Sequence, residues 1–158
     1  KGIRNDIIES ATLNYNIDII LKIYKKTLTL NKLISKETGK DLMFSYKRAS
    51  NIINNELKNS KIELSGSADP GLFKNEFEKI LYKKIHEIRK DFTNIGKDED
   101  YEGILKTLSL AKKEVNDFFE NVIVNDQDEL IKKNRLELLQ MLCKTFDNYL
   151  NFSKVESL

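Results

Sequence analysis

FFENVIVNDQDELIKKNRLELL, residues Phe118 to Leu139, holds the end of one amphipathic helix, a short apolar connector and the opening of a second helix. Upstream, Tyr101, Leu105, Leu108, Val115 and Phe119 form an inward stripe at helical spacing. Downstream, Asp126 can cap and Glu129 stands three residues later, a capping-box arrangement that starts the last helix. Ile131, Leu139, Leu142 and Phe146, with Arg135 among them, make the apolar stripe of that helix, which is expected to run to near Phe152.

The same reading extends over the whole chain. One proline and six glycines in 158 residues leave few helix breakers. The expectation is all-α, a single compact bundle of about six helices. The first helix is expected at Ile3 to Thr12. The second, capped by Asn16 and running to Ser35, carries apolar residues on two sides: Ile17, Ile20, Leu21, Tyr24 and Leu28 on one, Ile19, Ile23, Leu30 and Ile34 on the other. That doubling predicts a central helix, with Gly39 as its left-handed stop. The third spans Lys40 to Lys58. A polar loop, Asn59 to Ala68, follows. Asp69 as cap and Pro70 as first residue predict a helix reaching Phe92 through Phe73, Phe77, Ile80, Leu81 and Ile88. After a loop at Thr93 to Lys97, Asp98, Glu99 and Asp100 place negative charge at the positive end of the fifth helix.

Composition narrows the function classes. A hydrophobic content of 40% fills one core of ordinary size. Cys143 is the single cysteine, which excludes an intramolecular disulfide and a cysteine-based zinc cluster. No stretch approaches the roughly 20 apolar residues of a membrane span, and KGIRNDIIES lacks a signal-peptide core. A cytoplasmic location without a membrane partner is expected. The chain opens on Lys1, so a segment of a longer protein is expected. Phosphate loops, dinucleotide fingerprints, HExxH and nucleophile elbows are missing from the sequence, and His86 is the only histidine. Neither catalytic nor metal-ligating residues are assigned.

Net charge is only +2, yet it is unevenly placed. Lys22 to Lys61 carries ten Lys or Arg against three Asp or Glu; Asp98 to Glu129 carries three against ten. Such a domain either presents a positive face to a polyanion or neutralises itself across a helix interface. On the third helix, Leu42, Tyr46, Ala49, Ile53 and Leu57 share one arc, while Phe44, Lys47, Arg48, Asn51, Asn55 and Lys58 share the opposite one. Cations for phosphates, a ring for stacking and amides for base edges suit unpaired RNA; a solvated face gives the same pattern. Arginine is scarce, four against 23 lysines, so each invites a geometric reason. Arg48 lies on the polar arc. Arg135 lies on an apolar stripe, where it can pair with an inward acid such as Asp117 or a free helix-end carbonyl.

KRASNI at Lys47 to Ile52, YEGIL at Tyr101 to Leu105, FFENVIVND at Phe118 to Asp126, ELIKKNRLELL at Glu129 to Leu139 and YLNFSKVE at Tyr149 to Glu156 stand in that order along the chain, after RNDIIESA at Arg4 to Ala11. This series resembles the C-terminal anticodon-binding (DALR-like) domain of bacterial glycine-tRNA ligase beta subunits. Lys132 stands where an arginine is common in that pattern, and Gly103 where alanine is usual. The resemblance covers residues 1–158 as one domain of the arginine-tRNA ligase type. It implies no catalysis here: ATP and magnesium would be used at the alpha subunit of a heterotetramer. The implied partners are glycine tRNA through its anticodon loop, upstream beta-subunit domains and the alpha subunit.

Glycine anticodons end in two cytosines, and cytosine offers an N4 donor beside N3 and O2 acceptors. Under the resemblance, Lys47 or Arg48 would donate to O2 and N3, Asn51 or Asn55 would do both, and Phe44 would stack a base. Lys58, Lys132 and Lys133 would hold phosphates, and the adjoining Asn134 and Arg135 complete the candidate set. A basic-faced protein-docking bundle and the anticodon domain of an arginine-tRNA ligase are the alternatives.

Overall fold

Leu42, Tyr46, Ala49 and Ile53 are buried at 6% exposure or less, so the apolar arc of the third expected helix does turn inward. The computed structural model describes residues 4, 6–7, 17–60, 62–95, 101–148 and 152. Among these residues the regular elements are all helical: α1 (Ile17–Ile34), α2 (Glu37–Asn59), a 3-10 turn (Pro70–Leu72), α3 (Glu76–Ile95), α4 (Tyr101–Ser109), α5 (Lys112–Asn121) and α6 (Glu129–Asp147). The expected first helix, apart from Arg4, Asp6 and Ile7, lies outside the described residues, as do Asn16 and the acidic run Asp98 to Asp100.

α6 is the axis of the bundle, packed on α2 and α3, with α5 laid against α3 and α2. Its stripe of Ile131, Leu139, Leu142 and Phe146 is buried as the spacing predicts, and Leu136 and Leu138 join it at 0% exposure. Each fully buried Leu, Ile or Phe contributes on the order of 1.5–3 kcal/mol of transfer free energy. Phe152 closes the end of the core, its ring 5.6 Å from Tyr46 and 5.8 Å from Phe146. The Tyr46 hydroxyl donates to Asp147 at 2.9 Å, tying α2 to the last turn of α6.

Four expectations are corrected. α1 is peripheral, not central: Ile20, Leu21 and Tyr24 on one side and Ile19 and Ile23 on the other are all at least 44% exposed. α1 leans on α2 and α4, yet these neighbours leave most of the apolar surface of its first half open. Gly39 is no left-handed stop; α2 begins at Glu37, and Gly39 is buried within its first turn. Asp69 and Pro70 start only the 3-10 turn, with Asp69 accepting from the Gly71 N–H at 2.8 Å. The true start of α3 is Asn75, which accepts from Phe77 N–H while Glu78 reaches back to the Lys74 and Asn75 amides at 2.9 and 2.6 Å. Finally, the fifth expected helix breaks into α4 and α5, where Leu110 and Ala111 bond back three residues to Thr107 and Leu108. That tighter turn lets Leu108 and Ala111 both reach 0% exposure while Leu110 stays outside.

The loop before the 3-10 turn is pinned. Glu137, 4% exposed on α6, accepts from the backbone amides of Ser65, Gly66 and Ser67 at 2.7, 2.5 and 3.1 Å. Gly66 has φ of +81°, a conformation that an L side chain resists, and it aims these consecutive amides at one carboxylate.

Candidate nucleic-acid interface

The outer face of α2, the Val122–Asn125 connector and the start of α6 meet around a cleft of about 460 Å³. Three of the stretches quoted above, KRASNI, FFENVIVND and ELIKKNRLELL, thus converge on one place. Ile52, Phe119, Val122 and Leu136 line it with apolar surface; Arg48, Asn55, Glu56, Asn125 and Lys132 supply its polar groups.

Local structure fixes these groups. α5 ends where Val122 turns extended, its N–H still bonded to the Phe118 carbonyl at 2.9 Å. α6 begins with Asp128, not Asp126, as its cap, accepting from Leu130 and Ile131 N–H. Asp126 instead accepts from Asp128 N–H at 3.0 Å and from Arg135 at 2.6 Å. The Asp128 amide and the Arg135 guanidinium together hold the Asp126 carboxyl below its usual range. At the far end of α2, Ser60 donates to the Glu56 carbonyl through both N–H and hydroxyl, at 2.8 and 2.7 Å, and so fixes the turn that carries Glu56.

Arg48 is exposed, and its guanidinium carbon lies 4.3 Å from the Phe119 ring centroid. A cation seated on an aromatic face is held flat, leaving its second face open for stacking. Lys132 reaches across to Glu56, Nζ to Oε2 2.8 Å, with side chains 13% and 23% exposed. The Glu56 carboxylate pushes the Lys132 ammonium's pKa up.

The sequence-predicted set divides. Phe44 (69% exposed), Asn51, Asn55, Lys58 and Lys133 are exposed, and Lys47 is half-buried on the same helix. Lys132 is in the cleft but engaged by Glu56. Asn134 and Arg135 are corrected: both point inward, at 4% and 6% exposure. Asn134 exchanges two hydrogen bonds with the Asp69 backbone, 2.7 and 3.0 Å, securing the 3-10 turn. Arg135 donates to Glu78 at 2.9 Å, to the Ile123 carbonyl at 2.8 Å and to Asp126. Its partners are Glu78 and Asp126 rather than Asp117. The three apolar residues Val122, Ile123 and Val124, followed by Asn125 and Asp126, gave no hint that a guanidinium would gather the connector from behind.

Sequence reasoning missed Glu56 and gave Phe119 only a packing role. Phe119 is 9% exposed and packs, yet it also carries Arg48. No spacing signal marked Glu56: at about 100° per residue it falls beside Ala49, at the edge of the apolar arc of α2 rather than among its polar residues. The basic and acidic segments are joined by Lys32–Glu102 at 3.5 Å and by a Lys112–Asp41 pair, and neither lies at the cleft. Leu57, expected inside, is 41% exposed.

Among the described residues no group of three or more His, Cys, Asp or Glu is placed to hold a metal, and no helix is long and apolar enough to cross a membrane.

Comparison with known proteins gives two findings. The model of the DALR anticodon binding domain matches residues 42–158. The chain is 37% identical over 153 residues to the glycine–tRNA ligase beta subunit of Rickettsia prowazekii (strain Madrid E), covering 96% of this chain and 22% of that protein. It is 36% identical over 153 residues to the same-named protein of Rickettsia typhi (strain ATCC VR-144 / Wilmington) and 35% identical over 153 residues to that of Rickettsia felis (strain ATCC VR-1525 / URRWXCal2), again 96% of this chain and 22% of each. The chain therefore spans about a fifth of the length of these curated relatives.

Proposed function

Because the chain belongs to the DALR anticodon binding domain family, we propose that it binds the anticodon loop of glycine tRNA as the non-catalytic anticodon-binding domain of a glycine-tRNA ligase beta subunit. One observation carries this reading: three of the segments that bear the family likeness close around one cleft with an arginine on an aromatic ring, amides and a lysine at its edge. Unpaired bases are recognised by such platforms, with cations nearby for phosphates.

In this reading Phe44 and Arg48 offer stacking surfaces, Asn51 and Asn55 offer amides, and Lys58 and Lys133 meet phosphates. Residues 1–158 act as one anticodon-binding domain. The other beta-subunit domains, the alpha subunit and a cytoplasmic setting belong to the same proposal. ATP and magnesium serve glycine activation on the alpha subunit, and no residue of this chain is assigned to them. The domain contributes by raising the effective concentration of a tRNA that is also held elsewhere.

The test is a titration of the native full-length protein with glycine tRNA and with the same tRNA altered in its anticodon. Anticodon-dependent affinity is expected, and a basic docking bundle for an acidic protein would show none. For this chain alone, contact with about two phosphates of a single strand, through Lys58 and Lys133, gives a log-log salt slope of about −1.4.

A further inference from the structure

Glu56 and Lys132 are an unusual sight in a cleft that is otherwise apolar and basic. The carboxylate sits in a place that an RNA phosphate would avoid, unless its charge is spent. It is spent on Lys132, 2.8 Å away. The pair joins α2 to α6, and both side chains keep a part of their surface open to the cleft.

The chemistry of the pair is directional. A carboxylate only accepts, and an ammonium only donates, up to three times. One Lys132 proton goes to Glu56 and the others remain for a guest; among the described residues the second Glu56 oxygen meets no other donor. The cleft thus presents an acceptor beside a donor.

Resting on the anticodon-binding reading above, we propose that the Glu56–Lys132 pair is the specificity element of the cleft, reading the Watson–Crick edge of a cytosine stacked beside Arg48. Glu56 accepts from the cytosine amino group, and Lys132 donates to the ring nitrogen and O2. Uracil places a carbonyl where the amino group would be, so two acceptors meet. Adenine offers an amino group beside a ring nitrogen but lacks the O2 acceptor. Lys132 is then a base reader rather than a phosphate holder.

The alternative role, a brace between α2 and α6, makes a different prediction. The probe is the anticodon-arm hairpin of glycine tRNA, carrying cytosine or uracil at each of the last two anticodon positions. Affinities are measured by fluorescence anisotropy with the native full-length protein at fixed salt. The wild type should favour cytosine by about tenfold or more at one position, the size of a good two-pronged base contact. Glu56→Gln should bring that ratio to within about twofold, because a carboxamide can turn either an acceptor or a donor toward the base. The exchanged double variant E56K/K132E keeps an ion pair between the helices, so its melting temperature should hold while its cytosine preference is lost.

Preference retained or restored in the exchanged variant assigns the pair to bracing and overturns the proposal. That variant decides the matter even where Glu56→Gln fails to fold. A wild-type preference that survives both changes sinks this inference and leaves the anticodon reading standing. Absence of any cytosine preference in the wild type sinks both.

Discussion

Replacing Arg135 with alanine is the sharpest test of how the cleft is held in shape. The guanidinium side chain is 8% exposed and its partner Glu78 is 0% exposed. Removing one member of a buried pair leaves an uncompensated charge, typically at a cost of about 3–5 kcal/mol. Glu78 keeps two backbone amides, from Lys74 and Asn75, and these still solvate its carboxylate. The lower end of the range is therefore expected, about 3 kcal/mol. For a chain of this size that lowers the melting temperature by roughly 6–12 °C. Urea unfolding followed by circular dichroism should show the midpoint fall with an unchanged slope, the mark of lost stability rather than an altered denatured state. Arg135 also holds the Ile123 carbonyl, so the connector wall of the cleft should loosen and exchange its amides faster. A loss below about 1 kcal/mol would refute the assignment, because that is the range of an exposed pair.

Three further outcomes follow from the same geometry. Glu137→Ala removes the acceptor of three backbone amides and should speed hydrogen exchange at Ser65, Gly66 and Ser67, with cleavage by proteases appearing in the 62–69 loop. Gly66→Ala forces a side chain into a φ of +81° and displaces the Lys144 side chain, at a cost of about 1–2 kcal/mol in a thermal melt. Burial first, and then the bond to Asp147, raise the Tyr46 phenol above its ordinary range. The unfolded chain loses that proton near pH 10 while the folded chain keeps it. Stability from this group is therefore complete below about pH 10 and falls as pH rises beyond it. Tyr46→Phe should flatten that alkaline decline in urea midpoints measured from pH 8 to 11.

Much of this fold was legible because period and burial agree. On α2 one side is covered and the other is open, so spacing decides which face is inside and the arc from Leu42 to Ile53 follows; on α6 the stripe from Ile131 to Phe146 is buried as spaced, and the axial position of the helix buries its flanks as well. α1 misled because period reports a preference to be buried, not a partner that buries it; Ile19, Ile20 and Tyr24 have the pattern without the neighbour. The Asp69–Pro70 signal was sound chemistry, answered by a 3-10 turn because Phe73 returns to an extended conformation and Asn75 with Glu78 offers a better start. At Leu110 no glycine or proline marks the break between α4 and α5, and only the need to bury both Leu108 and Ala111 explains it. For the site, the polar arc of α2 was readable from spacing. Asn134 was not, since KKNR reads as a basic opening until the Asp69 backbone is seen beneath it. Arg135, set on an apolar stripe, did announce a buried ion pair, but spacing named Asp117 where the fold supplies Glu78 and Asp126. The Glu56–Lys132 pair joins residues far apart in sequence, and no local pattern announces it.

The central claim is that the cleft between α2, the Val122–Asn125 connector and α6 receives anticodon bases. It is tested most directly by placing 4-thiouracil in the anticodon loop of glycine tRNA, irradiating the complex with the native full-length protein, and mapping the adducts by mass spectrometry. Adducts within residues 44–58 and 119–133 are predicted. Adducts confined to α1 or α3, with none in those two segments, would contradict it.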